Sequence, residues 1–223
     1  GPYGGVSAGQ AVILSQEKLA EALRDLLAGA SVTATEAVFA IPLRSSLIMV
    51  MELPKITEHE LKEMIPLEAR KYVPIPISEV ELDWTVIPQR GGEDGKTEVL
   101  VVAIEKNTLT SYGRLAESVK IEPKYFEIET FATVRGLFSH DLHPTMVLDC
   151  GATSTKVTVI DGGVVRVSHV VSKGGQDLTT ALAHGSGMSF DQAERIKREN
   201  GMNEVARPVA DMIIFEASQV MAG

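Results

Sequence analysis

Short β-prone runs alternate with amphipathic helical ones along the chain, and the spacing of apolar positions predicts most of its elements. After an aperiodic, Gly-rich opening from Gly1 to Gly9, Ser15 stands as an N-cap before Leu19, Leu23, Leu26 and Leu27, and Gly29 stops that helix. Glu36 to Ile41 reads as a short buried strand ended by Pro42. A helix followed by a strand is half of a βαβ unit, which points to a parallel sheet. Ser46 to Leu53 is the next strand, closed by Glu52 and Pro54. Thr57 and Glu60 have the spacing of a capping box, and the helix they open carries Leu61, Met64 and Ile65. Pro66 then predicts a kink or a restart, and the continuation from Leu67 stops at Pro74 and Pro76.

Val80 to Ile87 alternates, with Val80, Leu82, Trp84 and Val86 on one face and Trp84 expected in the core. A polar turn from Arg90 to Gly95 leads to a strand at Glu98 to Ile104 and an amphipathic helix at Thr108 to Val119. Strand, helix, strand, strand and helix between Ser46 and Val119 make a compact α+β subdomain. Lys124 to Glu129 is a further strand, and Thr130 to Phe138 a helix with Phe131, Val134, Leu137 and Phe138 facing inward. Met146 to Cys150 reads as a buried strand, Gly151-Ala152-Thr153-Ser154 as a tight turn, and Thr155 to Ile160 as a β-branched strand. Asp161-Gly162-Gly163 is a hairpin signal that returns Val164 to Ser168 antiparallel. Helices follow from about Leu178 to His184, from the Ser189 cap to Asn200-Gly201, and from Pro208 to Val220.

The totals narrow the class. The 223 residues are 44% hydrophobic and 23% charged, as in a soluble globular protein of one large or two small domains. A net charge of −9 argues against a nucleic-acid surface. The single cysteine, Cys150, excludes an internal disulfide; it fits a reducing compartment and reads as a small buried residue at a strand end. No apolar run approaches bilayer-spanning length and no signal peptide opens the chain. A cytoplasmic protein is expected, touching a membrane only through a partner. His140 and His143 lack an accompanying ligand cluster and read as loop residues.

Two glycine-rich stretches carry candidate chemistry. Small residues at 151–154 let backbone amides face an anion, Thr153, Ser154 and Thr155 add hydroxyls, and Asp149 stands where it could orient a metal-bound water. An ordinary hairpin turn accounts for the same residues. Gly174 and Gly175 at a helix start allow a phosphate to approach free amides and the positive end of the dipole; a plain helix-entry loop fits equally. Glu194 and Lys197, three apart, share a helix face and otherwise form a solvated ion pair.

The order Leu148-Asp149-x-Gly151-Ala152-x-Ser154-Thr155, then Gly174-Gly175-Gln176-Asp177-Leu178-Thr179, then Ala193-Glu194-Arg195-Ile196-Lys197 through Gly201 resembles the actin-like ATPases, and specifically the PilM family of type IV pilus assembly. Glu68, Ala69, Tyr72, Val73, Pro74, Asp83, Trp84, Val102 and Ala103 match the same family earlier in the chain. The resemblance implies an α/β, actin-like (ribonuclease H-like) bilobed fold, present in part, with an inserted α+β subdomain. Residues 1–45 fall in the first lobe, 46–120 in the insertion, 121–145 return to the first lobe, and 146–223 belong to the second.

The resemblance also implies cofactors, ATP with Mg²⁺. Asp149 (reaching the metal through water), Gly151, Ala152, Thr153, Ser154, Thr155, Lys156, Gly174 and Gly175 would serve the phosphates; Glu194 would serve the ribose and Lys197 the nucleoside side. The implied partner is the N-terminal tail of a PilN-type membrane protein, with pilus motor ATPases beyond it, at the inner-membrane face. Hydrolysis is expected to be weak or absent, because no catalytic base stands out. Alternatives are a cell-division protein like FtsA, a sugar-kinase-like phosphotransferase, and an interaction module with a vestigial ATP site. The family's first phosphate loop is expected before Gly1 and its adenosine loop after Pro208, so a fragment of a longer protein is expected.

Overall fold

The computed structural model describes residue 11 and residues 14–87, 95–138, 143–201 and 207–222. The expected loop at 1–9, nearly all of the 90–95 turn and His140 lie outside these residues. Helix α1 (Gln16–Gly29) begins where Ser15 accepts the Leu19 amide at 2.9 Å. Its Ala20 is buried, whereas Leu19 and Leu26 are exposed. Contacts group the chain into two compact units, one of Gly1–Ala22, Thr145–Val159 and Ser168–Gly223, the other of Leu23–Pro144 and Ile160–Val167.

In the second of these units, β1 (Glu36–Ile41) pairs in parallel with β5 (Glu122–Ile128), as a crossover connection requires. β1 is less buried than its apolar run suggests: Ile41 is fully covered, but Val38 is exposed. β2 (Ser46–Pro54), β3 (Val80–Val86) and β4 (Lys96–Glu105) form an antiparallel sheet in the order β2-β4-β3. The central strand carries the core, with Val99, Val101 and Ala103 buried on one face.

Helix α2 (Glu58–Ala69) covers that face with Leu61, Ile65 and Ala69, four residues apart, against Met51, Leu53, Val99 and Val101 and the neighbouring Val80 and Ala103. The capping box forms as expected: Thr57 Oγ1 accepts from the Glu60 amide at 3.3 Å, and Glu60 Oε2 from the Thr57 amide at 2.8 Å. Pro66 does not restart the helix, which is continuous through it. Burial of Leu61 and Ile65 contributes about 2 kcal/mol each, enough to offset a proline cost of about 3 kcal/mol. The helix stops at Ala69, whose carbonyl takes the amides of Tyr72 and Val73, the last donors before Pro74, which has no N–H to offer the Arg70 carbonyl. Trp84 is half-buried against this core. Helices α3 (Lys106–Ser118) and α4 (Glu129–Leu137) complete the unit; Phe131, Val134 and Phe138 are half-buried, while Leu137, expected inside, is exposed.

The other unit holds β6 (Thr145–Cys150), most of β7 (Thr155–Asp161) and the end of β8 (Val164–Val171), strands ordered β6-β7-β8. Gly162 and Gly163, the two loop residues between β7 and β8, have φ of 64° and 78°, the left-handed pair that a tight hairpin demands. Val157 of the central strand and Val171 are fully buried against Ile213 and Ala217 of α7 (Arg207–Ala222). β6 corrects an expectation. It is an edge strand with Met146, Leu148 and Cys150 exposed, because β7 takes the covered middle position. Cys150 is therefore not a buried residue. Helices α5 (Gly175–Ser186) and α6 (Phe190–Asn200) pack through Leu182, Ala183 and Ala193, and Ser189 caps α6 reciprocally with Gln192.

Candidate functional site

The turn between β6 and β7 is braced from one side. Internally, the Gly151 amide donates to the Ser154 carbonyl at 2.9 Å. Externally, the Gly151 carbonyl accepts from the Gly175 amide at 2.9 Å and the Ala152 carbonyl from the Gln176 amide at 2.8 Å. Among the described residues the amides of Ala152, Thr153 and Ser154 donate to no protein acceptor. Carbonyl and N–H of a trans peptide point in opposite directions, and no described peptide is cis. Anchoring the carbonyls of Gly151 and Ala152 on α5 therefore turns the N–H groups of Ala152 and Thr153 away from α5. Both residues are exposed, with Thr153 and Ser154 hydroxyls beside them. Adjacent outward N–H groups form the kind of concavity that takes an anion.

Glycine at 174 is required by close approach. A Cβ there would lie 2.6 Å from the Gly151 carbonyl oxygen and 2.7 Å from the Ser154 nitrogen, both backbone atoms that cannot yield. The same packing corrects the expectation that Gly174 and Gly175 offer free amides. The Gly174 amide donates to Asp177 Oδ2 at 2.9 Å, and those of Gly175 and Gln176 are spent on the turn. The two glycine-rich stretches are one assembly, in which the helix start holds the turn.

The other expected residues fall into two groups. Thr155 is fully buried and its hydroxyl donates to the Lys173 carbonyl at 2.9 Å, tying β7 to the approach to α5. Lys156 Nζ lies 2.9 Å from Asp149 Oδ2, so this lysine neutralises the acid beside the turn. Asp149 remains partly exposed. Glu194 and Lys197 are not the solvated pair their spacing suggests. Lys197 Nζ donates to Glu194 at 2.7 Å, to Thr179 Oγ1 at 2.7 Å and to the Gly175 carbonyl at 3.0 Å. Thr179, fully buried, donates to Glu194 Oε2 at 2.6 Å, and Arg198 reaches Glu194 Oε1 at 2.7 Å. Burial pushes the Glu194 carboxyl up, but hydrogen bonds from Lys197, Thr179 and Arg198 outweigh it and hold the group at about 2. Both residues are committed to protein partners, and sequence reasoning missed Thr179, the hub between them. Its signal was a helix-interior threonine four residues after Gly175, the spacing at which a hydroxyl reaches back to a carbonyl.

The other unit contains a separate feature, an apolar cavity of about 480 Å³. It is lined by residues 81–85 of β3, by Leu100, Val102 and Ile104 of β4, by residues 126–128 of β5, and by Leu109 and Phe131. Consecutive residues of a strand can line one cavity only along its edge, since successive side chains alternate faces. β3 is an edge strand. The Ile87 amide bonds the Glu98 carbonyl of the β4 side at 2.9 Å, whereas the Trp84 amide bonds the Asp83 carboxylate at 2.9 Å. By alternation, the amides of Leu82, Trp84 and Val86 face the open edge. Glu81 and Asp83 give the groove an acidic rim; the third acid, Glu127, is clamped by Arg135 at 2.6 and 2.7 Å, which holds its carboxyl below the usual range. Among the described residues no group of three or more His, Cys, Asp or Glu side chains is placed to hold a metal.

Residues 7–218 match the family model for type IV pilus assembly protein PilM. That match extends into α7, past Gly201, the last residue of the motifs that carry the resemblance. A PilM–PilN type IV pilus biogenesis complex superposes with a TM-score of 0.77 at 25% identity, covering 95% of this chain and 65% of the other. The cytoplasmic domain of EpsL, an inner-membrane component of the type II secretion system of Vibrio cholerae, superposes with a TM-score of 0.51 at 13% identity, covering 80% and 66%. The chain thus spans about two-thirds of the length of these structures, and its α/β architecture is the actin-like fold in part.

Proposed function

Since this chain belongs to the PilM family of type IV pilus assembly proteins, we propose that it is an actin-like, nucleotide-binding scaffold that captures the N-terminal tail of a PilN-type membrane protein. The observation that carries the reading is the apolar groove beside the open edge of β3. A disordered tail loses entropy on ordering, so it needs a preformed apolar surface and a backbone edge to pair with. The groove offers both, and Glu81 and Asp83 on its rim favour a tail that carries a cation. No helix among the described residues is long and apolar enough to cross a membrane, which suits attachment through a partner. The scaffold would work at the cytoplasmic face of the inner membrane, joining the pilus motor ATPases to the platform.

Nucleotide enters the reading through the turn. The outward N–H groups of Ala152 and Thr153 and the hydroxyls of Thr153 and Ser154 would hold a phosphate, and the glycine-only approach at Gly174 keeps them in place. Asp149, with Lys156 on one oxygen, would reach Mg²⁺ through water; the ion, when bound, neutralises phosphate charge. Glu194 and Lys197 enter as supports of the turn. Hydrolysis is not part of the proposal.

The test is fluorescence anisotropy with a labelled PilN-type tail peptide on this protein, alongside ATP·Mg²⁺ titration. Saturable peptide binding that Phe131→Ala weakens is the expected result; no binding to folded protein removes the scaffold reading. Loss of ATP binding in Thr153→Ala and Asp149→Ala tests the nucleotide half.

A further inference from the structure

A lysine that touches no outward-facing part of the turn is nevertheless wired to it. Lys197 Nζ donates to the carbonyl oxygen of Gly175 at 3.0 Å. That carbonyl shares a planar peptide unit with the Gln176 N–H, which donates to the Ala152 carbonyl at 2.8 Å. The Ala152 carbonyl in turn shares a peptide plane with the Thr153 N–H, which has no acceptor among the described residues. Each plane fixes the direction of its N–H once its carbonyl is held. A carbonyl that accepts from a cation also makes its own N–H a stronger donor, and the effect accumulates along a chain of hydrogen bonds.

We infer that Lys197 acts on a bound phosphate at a distance, through the peptide planes 175–176 and 152–153, and that Thr179 is the positioning residue that keeps it there; the inference rests on the nucleotide reading above. Thr179 is suited to this by burial and by geometry. Its hydroxyl accepts from Lys197 at 2.7 Å, gives its proton to Glu194 at 2.6 Å, and lies 2.9 Å from the same Gly175 carbonyl. Glu194 closes the set by binding Lys197, Thr179 and Arg198 together, so the ammonium is held by three protein partners. Positive charge thereby reaches the anion-facing turn with no cationic side chain entering it. The turn keeps small, exposed residues at 152 and 153, open to a bulky polyphosphate.

The test is amide NMR of the ¹⁵N-labelled full chain, without nucleotide and then with ATP·Mg²⁺. In Thr179→Val, which keeps the shape and removes the hydroxyl, the Thr153 and Ala152 amide resonances should move and exchange faster with solvent. Those of Gly162 and Gly163, at the other end of the hairpin, should stay. ATP affinity should fall about tenfold, the size of one lost charge-assisted bond, and Thr179→Ser should restore both readouts. Lys197→Met reads the same relay from its donor end and serves if the valine variant does not fold. Unmoved Thr153 and Ala152 resonances in a folded variant overturn the inference. Moved resonances in a protein that binds no ATP support the positioning role and defeat the nucleotide reading instead.

Discussion

The sheet β2-β4-β3 and the turn assembly of β6, β7, α5 and α6 are held by opposite means. In the sheet, order comes from apolar side chains, with Ile65, Val99 and Val101 fully buried and no charged group among them. At the turn, order comes from backbone amides meeting backbone carbonyls, from a glycine that lets them meet, and from a buried Thr179–Glu194 network. Apolar packing tolerates change in shape as long as volume is kept. A polar network tolerates none, since each lost partner strands another. The contrast places adaptable material around the β3 groove and unforgiving material around the turn at 151–154.

The strongest way to break that contrast is to empty the apolar core. Ile65→Ala should cost about 4 kcal/mol, and hydrogen exchange should show β2, β3 and β4 opening while α5 and α6 keep their protection. Equal loosening of both regions defeats the distinction drawn here.

Next in size, Glu194→Ala should cost about 3 kcal/mol, because it strands Lys197 and the buried Thr179 hydroxyl. Acid gives the same result without mutation. The Glu194 carboxyl titrates near 2 when folded against an ordinary 4.5. Its contribution, about 3 kcal/mol, is therefore complete above pH 4.5 and disappears as pH falls toward 2. Exchange measured down that range should find α5 and α6 loosening before the sheet; the reverse order contradicts the assignment.

A smaller effect, about 2 kcal/mol, is expected from Gly174→Ala, whose methyl group meets backbone at 2.6 Å. Here the useful measurement is local: the amide resonances of 152–154 should move further than in Thr179→Val. The smallest is Thr57→Ala, about 1 kcal/mol, read as a lower midpoint in chemical denaturation and confined to α2.

These regions also differed in how much the sequence disclosed. The capping box at Thr57 and Glu60, the Gly162-Gly163 reversal and the Ser189 cap are local devices, set within four residues, and each stands where its pattern put it. The motif at 149–155 was legible for the same reason. What escaped was tertiary. Nothing in Gly174-Gly175 says that their amides face the turn, and nothing in a β-branched, apolar run says that β6 ends up at an edge with Leu148 in solvent. The α2 proline does not interrupt its helix, because its local cost is smaller than the burial on either side of it.

Exposure of Cys150 has a practical consequence. As the chain's sole thiol, one residue before Gly151, it offers a single attachment point for a thiol-reactive dye. The unmutated polypeptide thus brings its own reporter, whose emission would register a guest arriving at the neighbouring loop, or the absence of one.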